Sequence, residues 1–336
     1  ARHHTIMLLA ASSCIVVGLT GPVRTPRSGP EHLRTYDKFY SGADRLRATF
    51  DANFAEPRQA HPMRFVWDYW VVPEQYVLHR TQAADYFAED EFEALTDALT
   101  TFGQTELGCR SISPPWLSFY TDGCEQALHA DVPQGPLAYV LSLTMWETRR
   151  FTGGETAIMQ PQHLDYWRGF DSSRGLETND LITHVPPLFN RLTVFDARLP
   201  HGVRRIEGER DPRGARLVLH GWFTEPEPHF DGGLSSEQVE LGLGTVLQRC
   251  YDAVSPPCVT GLLSVQLKVA EDGGIDNIET LIDLLVVDPD ELSGTSAAEM
   301  SRVRDGVVQT LLDELAESSF EPCDEPTQIT IPFVFD

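Results

Sequence analysis

His-x-Asp occurs three times in this chain, at His129-Ala130-Asp131, His163-Leu164-Asp165 and His229-Phe230-Asp231. An imidazole and a carboxylate two residues apart can grip one metal ion only where the backbone aims both at it. On a strand, residues i and i+2 share a face; on a helix they diverge by about 200° and cannot meet. His163 falls in HLDYWRGF, whose texture is helical or irregular, and His229 falls in a Pro-rich run with no later histidine to complete a site. His129 ends a strand-like run and has a later partner, His201, 72 residues downstream in FDARLPHGV. Two histidines and one carboxylate leave three metal positions open on the opposite side, which suits Fe(II) when it must bind a cosubstrate and oxygen. His201 taken alone also reads as a surface histidine in a turn. The same three ligands around an activated water would serve a zinc hydrolase.

Fifteen residues beyond His201, Arg216 opens the run ARLVLHGWF. Alternation with period two puts Arg216, Val218, His220 and Trp222 on one face and Leu217 and Leu219 on the other. A guanidinium on such a strand is costly to bury unless paired, and a carboxylate that accepts two parallel N–H bonds is a suitable partner. The alternative is an ion pair at a strand edge with one of the chain's own acids. Arg204, Arg205, Arg210 and Arg213, in or beside the turn GERDPRG, read as solvated.

These residues need a scaffold of short strands, and the chain supplies one. From Trp116 to Phe223 the runs WLSFY, QALHA, AYVLSLT, ETAIM, LITHV, LTVFD, HGVRRI and ARLVLHGWF follow one another between turns, the pattern of an antiparallel sandwich or barrel. The FTGGET turn, with Gly153 and Gly154, reads as a tight connection that needs positive φ. Ahead of it, Phe92, Leu95, Leu99 and Phe102 share one helical face, with Asp90 and Glu93 placed to cap and Gly103 to stop. RFVWDYW (64–70) and PEQYVLHRT (73–81) are dense in aromatics, and form either one wall of a substrate pocket or packing on the outside of the barrel. The Pro-, Gly- and acid-rich run EPEPHFDGG marks a boundary at about residue 232. The fold expected is mainly β with flanking helices: a first domain over 1–232, its core at about 110–224, then a small α+β domain over 233–336. The latter comprises a helix near 235–251, strands GLLSVQLKVA and NIETLIDLLVV, a helix near 297–316 and a closing strand TQITIPFVF.

Twenty-six basic residues stand against 50 acidic ones, a net charge of −24 that repels a phosphate backbone, so nucleic acid is not an expected partner. Six cysteines occur without a C-x-x-C pair, which excludes a zinc ribbon or thioredoxin-type site; Cys250, Cys258 and Cys323 could hold one disulfide in an oxidising compartment. Residues 6–19 are apolar but too short for a membrane span, and fit a signal h-region or a buried strand equally well. Cytoplasmic and exported locations therefore both stay open.

In order and spacing, YTDGCEQALHAD (120–131), LSLT followed by FTGGET, and VFDARLPHGV followed by GARLVLHGWF resemble the double-stranded β-helix, or jelly-roll, core of the Fe(II)/2-oxoglutarate-dependent oxygenase superfamily, and most of all its prolyl 4-hydroxylase-like branch. The resemblance implies that His129, Asp131 and His201 bind Fe(II), that Arg216 pairs with the distal carboxylate of 2-oxoglutarate, and that Tyr120 contacts the same carboxylate. It implies a dioxygenase that consumes O2, with ascorbate as an optional reductant, and hydroxylates a peptide or small-molecule substrate as succinate and CO2 form. An inactive metal-binding barrel, acting as sensor or scaffold, is the other reading. Val218 stands where many relatives carry Ser or Thr beside the arginine, so a second cosubstrate contact must come from elsewhere. Gln126 stands where prolyl hydroxylases often have Tyr, which argues against proline as the substrate. The C-terminal end, through VQLKVAEDGGI and FEPCDEPTQITIPFVF, weakly resembles TonB-like C-terminal domains, which implies a module that binds a protein partner.

Overall fold

The computed structural model describes residues 31–161, 177–288 and 296–335. The apolar segment 6–19 and the run 163–170, with His163 and Asp165, lie outside them. Four strands precede the expected set: β1 (Leu33–Asp37), β2 (Asp68–Val72), β3 (Tyr76–Gln82) and β4 (Cys109–Ile112). The eight expected strands then follow: β5 (Trp116–Tyr120), β6 (Glu125–His129), β7 (Leu137–Ser142), β8 (Thr156–Met159), β9 (Ile182–Val185), β10 (Arg191–Asp196), β11 (His201–Val203) and β12 (Arg216–Pro226).

They pair as two antiparallel layers, β10-β7-β12-β5 and β6-β11-β8-β9, which is the strand order of a jelly roll. β3 hydrogen-bonds to β5 through one half and to β6 through the other, and so joins the layers along one side. The FTGGET turn between the layers has φ of 77° at Gly153 and 82° at Gly154. A Cβ at Gly153 would lie 1.8 Å from the Arg205 carbonyl oxygen, so no other residue fits there.

Alternation along β12 behaves as its residue types dictate. Leu217 and Leu219 are fully buried in a core with Leu117, Leu141, Leu46, Phe50, Leu95 and Leu99, contributed in part by the helices Ala43–Asn53 and Glu89–Phe102. Each such side chain withdrawn from water contributes roughly 1.5–3 kcal/mol, and this core fixes the layer from behind. The opposite face, with Arg216, Val218, His220 and Trp222, turns toward a cavity between the layers. The helix starts one residue before Asp90 and is capped differently from expectation: Glu91 accepts from the Ala88 backbone N–H at 3.3 Å. Nor does Gly103 stop it, because Gly103 is helical and packs against Phe223. A π-helical turn continues to Leu107, and Gly108 in the left-handed region ends the run.

The run EPEPHFDGG is strand as well as turn. β12 extends to Pro226, and His229–Asp231 form β13 against β17 (Thr327–Phe335), so His229 is not a linker residue. The second sheet, β13-β17-β14-β15 with β14 (Val259–Val269) and β15 (Ile275–Asp283), carries the short β16 (Val286–Val287) on β14. Helices Ser236–Ala253 and Ala297–Ala316 pack on it over a core of Leu263, Val265, Leu311, Ile331 and Phe333. Leu262, Ile282 and Leu284 join the core of the first sheet instead. The five described cysteines are free thiols. Among the described residues no helix is long and apolar enough to cross a membrane.

Candidate metal and cosubstrate site

β6 and β11 run antiparallel with His129 directly opposite His201, and side chains so placed project to the same side. The two ring centroids lie 4.4 Å apart. Asp131 sits just past the end of β6, where its backbone N–H donates to the Ala197 carbonyl at 2.9 Å. One ligand atom from each of His129, Asp131 and His201 falls within 4.8 Å of the others, and no other such group occurs among the described residues.

Both imidazoles are oriented by the backbone. His129 Nδ1 lies 2.9 Å from the Ala127 carbonyl and His201 Nδ1 lies 3.0 Å from the Leu199 carbonyl. A carbonyl only accepts, so Nδ1 carries the proton in each ring, and Nε2 faces the acid with its lone pair available to a metal. His201 Nε2 is 3.1 Å from Asp131 Oδ2 and His129 Nε2 is 3.6 Å from Asp131 Oδ1. Tyr76 and Phe195 meet the two rings edge-on, at 5.2 Å from His129 and 4.6 Å from His201. Burial pushes the Asp131 carboxyl up, but His201, His129 and the Trp222 N–H outweigh it and leave it below the ordinary range. Burial holds His129 below its ordinary value. Both therefore stay in the forms that bind metal at neutral pH.

Arg216 faces the same cavity at 1% exposure. Its Nη2 donates to Thr156 Oγ1 at 3.2 Å, while Nε and Nη1 are buried without a hydrogen-bond partner. The guanidinium lies 4.6 Å from the centroid of the Tyr120 ring, the residue opposite it on β5. Burial draws its pKa down, with Tyr120 partly offsetting this. The four turn arginines differ in kind: Arg204 pairs with Glu155, Arg205 with Glu125, Arg210 with Asp122 and Arg213 with Asp211, all at the surface. Tyr120 directs its hydroxyl to Gln126 Oε1 at 3.3 Å, and Gln126 in turn reaches His129 Nε2 at 3.4 Å. His220 bonds to Ser118 Oγ at 2.9 Å, and burial, followed by the charge of Arg216, pushes its pKa down to about 3, so it is neutral.

Two parts of this site escaped the sequence. Thr156 supplies the hydroxyl beside Arg216 that Val218 lacks; its place as the last residue of FTGGET, opening the strand ETAIM, was the available signal. Trp222 was placed on the right face, but its N–H bond to Asp131 was not foreseen. The aromatic runs near residues 64–81 divide between the two readings: Trp70, Tyr76, Leu78 and Arg80 line the cavity, Trp67 and His79 pack on the other side against Phe119, and Phe65 and Tyr69 are exposed. His229, paired with Thr330 in the second sheet, takes no part.

No protein-family model matches the chain, and no curated protein matches it. Solved structures similar to it include a Pseudomonas putida prolyl-4-hydroxylase, 17% identical over 58% of this chain and 92% of that one, with a TM-score of 0.40. HygX from Streptomyces hygroscopicus with nickel and 2-oxoglutarate bound is 13% identical over 56% and 81%, with a TM-score of 0.36. The viral collagen prolyl hydroxylase vCPH from Paramecium Bursaria Chlorella virus-1, as its 2-oxoglutarate complex, is 12% identical over 57% and 95%, with a TM-score of 0.35. Likeness at this level gives no residue a role.

Proposed function

We propose that this chain is an Fe(II)- and 2-oxoglutarate-dependent dioxygenase that hydroxylates a small molecule or a peptide side chain, with release of succinate and CO2. The observation that carries this reading is Arg216. It is a fully buried guanidinium with two unpartnered nitrogens, and it opens on the cavity that holds two histidine Nε2 atoms and a carboxylate. A buried charge left without an anion costs several kcal/mol. A hydrolase built on the same three ligands, or an inert barrel, has no use for that anion site.

The residues fit the group. His129, His201 and Asp131 are the donor set that non-haem Fe(II) requires, and Arg216 with the Thr156 hydroxyl presents N–H and O–H donors to a carboxylate. When bound, Fe(II) and 2-oxoglutarate supply the oxidative decarboxylation that activates O2 toward a C–H bond. The chain's own work is geometric and electrostatic. The Ala127 and Leu199 carbonyls hold the imidazole tautomers, and Trp222 holds Asp131. Neutral His220 adds no second cation beside Arg216. Leu78, Val203 and Val218 wall the cavity with apolar surface, which lowers the local dielectric and strengthens the pairing of Arg216 with an anion.

The test is succinate formation from 2-oxoglutarate by the purified protein, followed by NMR. Turnover that requires Fe(II) and O2, proceeds slowly without substrate and is lost in Arg216→Met supports the reading. No succinate from protein that carries full iron would reject it. Peptide and metabolite pools screened for the gain of one oxygen atom then identify the substrate.

A further inference from the structure

We infer that Arg80 is a substrate-capturing residue and that the group it takes is a carboxylate. The inference rests on the dioxygenase reading for what else shares the cavity, and on Arg80's own surroundings for the rest.

Arg80 lies on β3, the strand that joins the two layers, and lines the cavity. Its guanidinium is held between two indoles, 3.6 Å from the Trp70 centroid and 4.3 Å from the Trp116 centroid. Such a clamp uses the two faces of the guanidinium. The N–H donors lie in its plane and point outward from its edge, so the clamp fixes the plane and leaves the edge free. Arg80 Nε is buried with no hydrogen-bond partner. The nearest carboxylate, Asp68 on the neighbouring strand β2, comes no closer than 4.0 Å and is 62% exposed. The geometry is therefore that of a preorganised donor fork.

The cavity is also short of acids. Among the described residues that line it, Asp131 is the one carboxylate, and it faces His129 and His201, while Arg80 and Arg216 both border the same space. A planar carboxylate on the substrate matches the fork that Asp68 leaves at 4.0 Å. Arg80 stands opposite Ser118, which holds His220, and lines the same cavity as His129, Asp131 and His201. A substrate anchored at Arg80 thus extends its remainder into the space beside the metal ligands. The carboxylate can belong to a small free acid or to an acidic side chain within a peptide.

Two matched pairs distinguish these sources: phenylacetate with phenylacetamide, and N-acetyl-aspartate amide with N-acetyl-asparagine amide. Binding is read by saturation-transfer NMR on protein loaded with Zn(II), with and without 2-oxoglutarate, and 2-oxoglutarate affinity is measured separately by calorimetry. At least one charged probe should bind on the order of tenfold more tightly than its amide, and which pair responds names the source. Arg80→Gln should erase the preference, Arg80→Lys should keep part of it, and both should hold 2-oxoglutarate within about twofold of wild type, since the hydrogen-bond partner of Arg216 is Thr156 and the nearest acid to Arg80 is Asp68. Thermal unfolding of both variants checks that the fold persists. The proposal is overturned if neither pair shows a charge preference, if the preference survives in Arg80→Gln, or if Arg80→Gln loses 2-oxoglutarate instead. If the wild type fails to bind 2-oxoglutarate yet prefers the acids through Arg80, the dioxygenase reading falls and the carboxylate site stands.

Discussion

The indole Nε1 of Trp222 donates to Asp131 Oδ2 at 3.2 Å, so the strand that carries Arg216 also steadies the carboxylate that completes the triad. One strand thereby joins the His129, Asp131 and His201 cluster to the Arg216 side chain. Trp222→Phe keeps an aromatic ring in place and removes the indole N–H. It should weaken Mn(II) binding roughly tenfold to a hundredfold, the usual effect of losing a partner that orients a ligand, while 2-oxoglutarate still reaches the metal-loaded variant. Anaerobic Mn(II) titration followed by EPR measures this; affinity equal to wild type would show that Asp131 is held well enough without the indole.

The triad itself gives a plainer expectation. His129→Ala or His201→Ala leaves two ligands, too few for a facial Fe(II) site, and should abolish stoichiometric iron binding and succinate formation together. His229→Ala, which changes a strand of the second sheet, should leave iron content as in wild type. Iron analysis after anaerobic gel filtration reads all three, and full iron in either triad variant would remove His129-Asp131-His201 from the account.

His220 predicts a dependence of stability on pH. Its folded pKa is about 3, against an ordinary value of 6.5. Between these values the unfolded chain binds a proton that the native protein refuses, so stability is complete above about pH 6.5 and falls as pH drops toward 3, by about 1.4 kcal/mol per unit. Between pH 7 and pH 5, wild type should lose about 2 kcal/mol more than His220→Gln, which carries no titrating ring. Urea denaturation at the two pH values measures the difference, and equal losses would mean that His220 is protonated in the native protein.

The parts of the fold that could be read from residues are those where one face is apolar and the other is not. On β12, Leu217 and Leu219 announce one face and Arg216 and Trp222 the other, so strand, register and site arginine come together. β3 hides because protein packs on both its faces, Leu78 and Arg80 toward the cavity and His79 onto Phe119; with no solvent side, the period-two contrast vanishes. β13 hides in EPEPHFDGG because three residues hold their strand conformation only through pairing with β17. The hydrogen bonds from Arg216 to Thr156 and from Trp222 to Asp131 join residues far apart in sequence, and no local pattern encodes such distances. The meeting of His129, Asp131 and His201 was legible for a different reason: of the three His-x-Asp copies, 129–131 is the one whose sequence follows a strand-like run and has a later histidine across a β region to face it.

On the dioxygenase reading, Arg216 holds 2-oxoglutarate beside a metal bound by His129, Asp131 and His201. The most direct measurement of this is calorimetric titration of 2-oxoglutarate into anaerobic Mn(II)-loaded wild type and Arg216→Met. Arg216→Met should keep its metal and lose more than about a hundredfold in 2-oxoglutarate affinity, since removing one partner of a buried charged pair costs on the order of 3–5 kcal/mol. Arg216→Lys should recover part of that loss, because a point charge replaces a planar fork. Unchanged binding in Arg216→Met would show that another residue anchors the anion, and no binding of 2-oxoglutarate to metal-loaded wild type would rule the dioxygenase reading out.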